Sequence, residues 1–382
     1  MRAAALAYGV LERLAAERLT WQGRDVRLLD EVDIIHAVSG GSMTAAYYAL
    51  HGDRLFTDFE KRFFHRDLQD RLESRIVAFS AIPRLASPRY GRIDMVQEFL
   101  DETLYEGRTF ADLPRRRPFV VISASDMALD ARFDFDQNSF DLLCSDLDRF
   151  PISRAVAASS ALPLVFSPVT LWNYAGSCAL PPLPEFPRAE GALAVRQQQR
   201  AREVFSYLDR ERRPYIHLLD GGLADNIGVR ALLESAALVG GLDVAIRQAQ
   251  LSPVRKLAII MVNAETESDR SVDQSADVPG LRQVLRALVD VPINRYSYET
   301  EVIGRQAIEA WHQRHLQAGH ALELYLVVAS LKNVADAGER DFLNSVPTTL
   351  QLPPATTERI RRAASRLLDE SPDFQRLLRS LR

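Results

Sequence analysis

Short apolar runs alternating with helix-period stretches constrain this chain more than any other feature. Residues 32–38, 119–124, 215–219, 256–263 and 322–328 each have the length and the β-branched or aliphatic content of a buried strand. Helical spacing fills the intervals: 1 to about 18, 43–51, 151–161, 229–239, roughly 281–317 with a break at Pro292, and 356–381. Strands separated by helices call for crossover connections. The expected fold is therefore α/β in three layers, a mostly parallel central sheet with helices on both faces. The stretch 132–140 alternates Phe with polar residues, as a hairpin or edge strand does, and Val26, Leu28 and Leu29 fall in a loop. The stretch 53–100 reads as mostly helical, broken near Pro83 and Pro88. A Pro-rich loop follows near 181–187, and a mobile loop is expected over 265–280. No internal repeat or linker divides the chain. One unit is expected over 1–382, with a core over about 1–355 and a C-terminal helix over 356–382.

Charge narrows the partners. Lys plus Arg number 47 against 51 Asp plus Glu, a net charge of −4, and the tight basic run Arg115-Arg116-Arg117 is isolated. A nucleic-acid binder would carry a basic excess, so nucleic acid is excluded as the expected partner. Cys144 and Cys178 are too few for a disulfide framework and match no zinc spacing; nothing here requires an oxidising compartment. No stretch approaches the ~20 apolar residues that span a bilayer. The apolar start of the chain, interrupted by Glu12 and Arg13, reads as an amphipathic helix rather than a signal peptide.

Two segments carry candidate chemistry. Ser39-Gly40-Gly41-Ser42 is a turn between a buried strand and a helix, the setting of a nucleophile elbow, with Ser42 as the hydroxyl. The helix N-terminus behind it aims free N–H groups at any anion forming beside the Ser, and Met43 would supply one of them. Thr44 stands where the pattern Gly-x-Ser-x-Gly has its last Gly. The second segment is Leu218-Leu219-Asp220-Gly221-Gly222. A carboxylate at a strand's C-terminal end points into the crevice where open α/β sheets place their sites, and the two glycines let backbone pass close by. Asp225 and Asn226 read as turn residues that hold the loop in shape, and Asp33, before the apolar core of its strand, reads as structural. Of the seven histidines, His36 and His217 lie inside strands as core groups, and His312 and His315 lie in a long helix.

Taken together, these segments resemble the patatin-like phospholipases. That family pairs Gly-x-Ser-x-Gly with a later Asp-Gly-Gly, and it uses a Ser-Asp dyad with no His. The resemblance also covers 154–163 with Phe166-Ser167-Pro168-Val169, and it extends to Val346-Pro347-Thr348-Thr349. It implies a patatin-like fold and acyl-ester hydrolysis of a lipid, with Ser42 as nucleophile, Asp220 as base and an acyl-enzyme intermediate. Gly40, Gly41 and Met43 would form the elbow and part of the oxyanion hole, and Gly221 and Gly222 the base loop. No cofactor or metal is implied. The partner would be a lipid or ester substrate, with possible peripheral contact at a membrane. The stretches 162–166 and 171–172 would wall the acyl chain. Because Asp is a poor base in water, Asp220 is expected in a desolvated site.

Two other functions compete. One is a carboxylesterase with a Ser-His-Asp triad, its members falling in the chain order Ser42, Asp220, then His312 or His315. The other is a lipid-binding or interaction protein with impaired catalysis. The family also carries a strand ending in Gly-Gly-Gly-x-Arg-Gly before the first helix. Met1, Arg2 and Ala3 fall on its last three places, so the expectation is that the N-terminal strand and the three glycines lie upstream. Arg2 is the basic residue of that loop.

Overall fold

The computed structural model describes residues 1–21, 23–66, 87–179, 190–239, 241–248, 254–265, 270–317 and 322–382. The Pro-rich loop expected near 181–187, the break at Pro83 and part of the 265–280 loop lie outside them.

Helix α1 (Arg2–Ala16) buries Ala4, Ala5, Tyr8 and Leu11 at helical spacing. It is followed by a two-stranded hairpin, β1 (Arg18–Trp21) and β2 (Arg24–Arg27), where a loop is expected. Next come β3 (Ile34–Val38) and α2 (Gly40–His51). Strand β4 (Phe119–Asp126) turns back into β5 (Ala131–Phe135), and α3 (Ile152–Ser159) follows. Then come β6 (Val169–Trp172), α4 (Gly191–Leu208) and β7 (Tyr215–Leu219). Helix α5 (Arg230–Leu238), β8 (Lys256–Asn263), α6 (Leu281–Gln317) and β9 (Glu323–Ser330) lead to α7 (Pro354–Asp369) and α8 (Pro372–Leu381). Helix α6 runs through Pro292 without the expected break, one backbone donor short.

The protein is α/β, but its main sheet is mixed rather than mostly parallel. The order is β3-β4-β7-β6, with β5 also on β4, and only β3–β4 is parallel there. A tight turn accounts for the antiparallel β4–β5 pair, which needs no crossover, while β7 runs antiparallel to both β4 and β6 across longer connections. The Asp126 carboxylate accepts from the amides of Ala128 and Leu129 at 2.9 and 3.2 Å, closing the β4–β5 turn. Strands β8 and β9 pair in parallel as a separate sheet among the described residues.

One apolar cluster joins α1, α2, α3 and the main sheet to α7 and α8. A Cβ on Gly9 would sit 2.6 Å from the Arg361 carbonyl, so only Gly lets α1 lie this close to α7. The two cysteines form a single bridge, a pairing that the sequence does not announce. The Tyr174 amide donates to the Leu143 carbonyl at 3.0 Å, drawing the two segments together, and the Cα atoms of Cys144 and Cys178 lie 5.6 Å apart. No helix among the described residues is long and apolar enough to cross a membrane.

Candidate active site

Strand β3 ends at Val38 and α2 starts at Gly40, leaving Ser39 alone in the corner. Ser39 takes φ 51° and ψ −132°, a conformation that L-residues avoid and that costs on the order of 1–3 kcal/mol. Its hydroxyl donates to Asp220 Oδ2 at 2.7 Å. The other carboxylate oxygen accepts from the Gly222 amide at 2.8 Å. Asp220 follows the last residue of β7, and burial pushes its carboxyl up to about 6, against the opposing pull of those two donors. The desolvated carboxylate expected from sequence is therefore present.

Its partner is not the expected one. Ser42 lies inside α2, fully buried, and its hydroxyl donates to the Ser39 carbonyl at 2.5 Å. Helical rotation from the corner turns Ser42 away from β7, so the structure joins Ser39, not Ser42, to Asp220. Centred on Ser39, the elbow reads Ala37-Val38-Ser39-Gly40-Gly41. The final Gly is then in place as Gly41, and Ala37 replaces the first. Thr44 is no longer an exception at the elbow. It sits one turn further on, buried, donating to the Ala4 carbonyl of α1 at 2.9 Å.

Met43 and Arg2 also move out of their expected roles. Met43 is the fourth residue of α2, so its amide belongs to the helix ladder, and its side chain is in the core. Arg2 donates to the carbonyls of Ala264 and Val346 at 2.7 and 2.5 Å, tying α1 to the end of β8 and to the 346 segment. Burial lowers its guanidinium to about 10. Gly40 remains at the site. A Cβ there would stand 3.3 Å from both the Ala3 Cβ and the Ala4 amide nitrogen, so the N-termini of α1 and α2 meet beside Ser39. Amides in a helix's first turn have no partner within their own helix.

The base loop is as close-packed as its glycines suggest. A Cβ on Gly221 would come within 2.3 Å of the Ser123 carbonyl oxygen, and one on Gly222 within 3.0 Å of Asp220 Oδ1. Asp225, read as a turn residue, is buried beside Arg132 and accepts from the Ala231 amide at 3.2 Å; burial lifts it to about 6. Asn226 donates to Ser297 of α6. Asp33 pairs with Arg117 at the surface.

Histidine takes no part in this arrangement among the described residues. His315 is bonded to the Trp311 carbonyl within its own helix, and His36 lies 3.5 Å from Ser123 Oγ. His217 is exposed rather than core and meets Thr170. Leu171 is core, whereas Leu164, Val165 and Trp172 are exposed, so the two stretches expected to line an acyl chain divide between core and surface.

A hydroxyl raised on a strained strand-to-helix corner, facing a desolvated carboxylate and two helix N-termini, has the geometry of a nucleophile elbow on an α/β fold. The chain belongs to the patatin-like phospholipase family, whose model matches residues 1–233, the segment that carries α1, the elbow and Asp220. The family places it among lipid acyl hydrolases. No curated protein matches it.

Proposed function

We propose that the protein hydrolyses acyl esters of lipids with Ser39 as nucleophile and Asp220 as its base. The 2.7 Å bond between them, made from a strained corner, is the observation that carries this reading. Asp220 takes the Ser39 proton as Oγ attacks the ester carbonyl. The Gly40 amide and the first-turn amides of α1 meet the developing oxyanion. Protonated Asp220 then gives its proton to the departing alcohol, leaving an acyl-enzyme on Ser39. A water deprotonated by the same carboxylate releases the fatty acid and restores Ser39.

Peripheral contact with lipid is part of the same reading. The Asp220 amide donates to the Ala161 carbonyl at 3.0 Å, and the loop that continues from Ala161 exposes Leu164 and Val165. Leu164 is held at φ 69°, a strained value for a Leu whose side chain is 64% exposed. Helix α6 reaches the base loop through Ser297 and exposes Leu281, Val284, Leu288 and Val291 on one face. Both features would suit a substrate presented from a lipid surface.

Labelling with a fluorophosphonate ester separates the two serines. Ser42→Ala should label like wild type, while Ser39→Ala should lose the label and at least about 10³ in kcat/KM on p-nitrophenyl esters. Persistent labelling of Ser39→Ala would rule the dyad out.

A further inference from the structure

We infer that Ser159 is a positioning residue that holds Ser39 in its strained conformation and locks the nucleophile to the base loop, an inference that rests on the Ser39–Asp220 reading. Ser159 is the last residue of α3 and has no exposed surface. Its hydroxyl works in both directions. It accepts from the Ser39 amide at 2.8 Å and donates to the Ser123 carbonyl of β4 at 2.6 Å. Its own carbonyl accepts from the Gly221 amide at 3.1 Å, and two residues on the Ala161 carbonyl accepts from Asp220. Two residues of one segment, Ser159 and Ala161, thus hold the nucleophile through a side chain and the base through backbone.

The hydroxyl has a specific use here that packing does not require. Ala155, Ala157, Ala158 and Ala161 around it are fully buried, so a small apolar residue would fill the position equally well. Ser153, on the same helix, and Ser160, beside it, are buried too, but their hydroxyls have no partner among the described residues. Ser159 differs in bonding the one residue whose backbone is strained at the site. Without it the Ser39 amide loses its acceptor, and one of the contacts that hold φ at its positive value is gone. The Ser39 hydroxyl would then swing away from Asp220. Close packing makes this sensitive: no side chain at 221 can fill the space, because Gly221 already abuts the Ser123 carbonyl.

The test uses the full chain on p-nitrophenyl esters, with melting curves for every variant. Ser159→Ala should lower kcat by on the order of 10² with KM little changed, the effect of a reacting group displaced by about 1 Å. Its acid limb should also move to higher pH, because the Ser39 hydroxyl favours the ionised form of Asp220 and would no longer donate. Ser159→Thr, which keeps a hydroxyl, should recover most of the loss, and Ser153→Ala should behave as wild type. If Ser159→Ala precipitates, Ser159→Cys substitutes for it: an intermediate kcat supports the role and a wild-type kcat overturns it. Positioning is also overturned by wild-type kcat in Ser159→Ala, or by a loss that leaves the acid limb in place and recurs in Ser153→Ala. Failure of the dyad reads differently, because Ser39→Ala itself would then stay active.

Discussion

Helix α2, which starts beside Ser39, and helix α6, which meets Asn226 beyond the base loop, are built in opposite ways. Helix α2 is buried over most of its length: Ser42, Met43, Thr44, Ala45, Ala46, Tyr47 and Tyr48 are all buried. Two of its polar groups, the hydroxyls of Ser42 and Thr44, are satisfied by backbone carbonyls. The first half of α6 instead leaves Leu281 at 74% and Leu288 at 66% exposure. It is held from its middle, where Asn226 meets Ser297, Arg230 donates to Thr300 at 2.8 Å and the Arg230 guanidinium lies 3.7 Å over Tyr296. The difference separates two needs. A strained corner persists only where neighbours over-determine it, which full burial provides. A surface that meets lipid must keep apolar area outside the fold.

The largest effect should come from removing the desolvated charge at the end of this packed region. Asp220→Asn should cost activity on the order of 10³ or more, and wild-type kcat/KM should fall tenfold per pH unit below about 6. Stability should move the other way. The folded carboxyl titrates at about 6, above the ordinary value of 3.8 that it takes in the unfolded chain, so the native state binds the proton more tightly. The penalty is therefore absent below the unfolded pKa, grows as pH rises from about 4 to 6, and is complete above that. It amounts to at most about 3 kcal/mol. Asp220→Asn should raise the midpoint of urea unfolding at pH 8 and lose that advantage at pH 4. A variant that is inactive but equally stable at both pH values would contradict the assigned burial.

Next in size is close approach of backbone. Gly221→Ala places a methyl within 2.3 Å of a carbonyl oxygen that cannot rotate away, and should cost about 2–4 kcal/mol in urea unfolding. An alanine tolerated within about 0.5 kcal/mol would mean the base loop is looser than the α2 side of the site.

Much of the frame is legible in the sequence, and particular residues explain where it is not. The runs 215–219 and 256–263 match β7 and β8 to the residue, because apolar content ends abruptly at Asp220 and at Asn263-Ala264-Glu265. Asp220 is legible for the same reason, as a carboxylate at the end of an apolar run. The nucleophile is harder. A Gly-x-Ser-x-Gly frame centred on Ser42 or on Ser39 mismatches once in either case, at Thr44 or at Ala37. What decides between them is which Ser follows the strand directly, and Val38 as the last apolar residue points to Ser39. The mixed sheet is illegible because 132–140 reads as edge or hairpin without naming a partner. The Cys144–Cys178 bridge spans 34 residues beside the long-range Tyr174–Leu143 contact, and neither leaves a local pattern.

The smallest expected effect lies on α6 and tests the other side of the comparison. Leu281→Ser with Leu288→Ser removes two side chains that the fold leaves in water, so melting should change by no more than about 0.5 kcal/mol per site. Hydrolysis of soluble p-nitrophenyl acetate should be unaltered, since neither residue touches Ser39 or Asp220. Binding to phosphatidylcholine vesicles should weaken, because inserting a Leu side chain into an apolar phase contributes about 1.5–3 kcal/mol when complete, and partial insertion at a surface gives less. A loss of about tenfold in co-sedimentation corresponds to about 1.4 kcal/mol over the pair. Unchanged co-sedimentation alongside unchanged melting would remove α6 from the lipid-facing surface and leave Leu164 and Val165 to carry it. A large drop in stability would instead place the exposed half of α6 among the elements that hold the fold, and the contrast with α2 would fail.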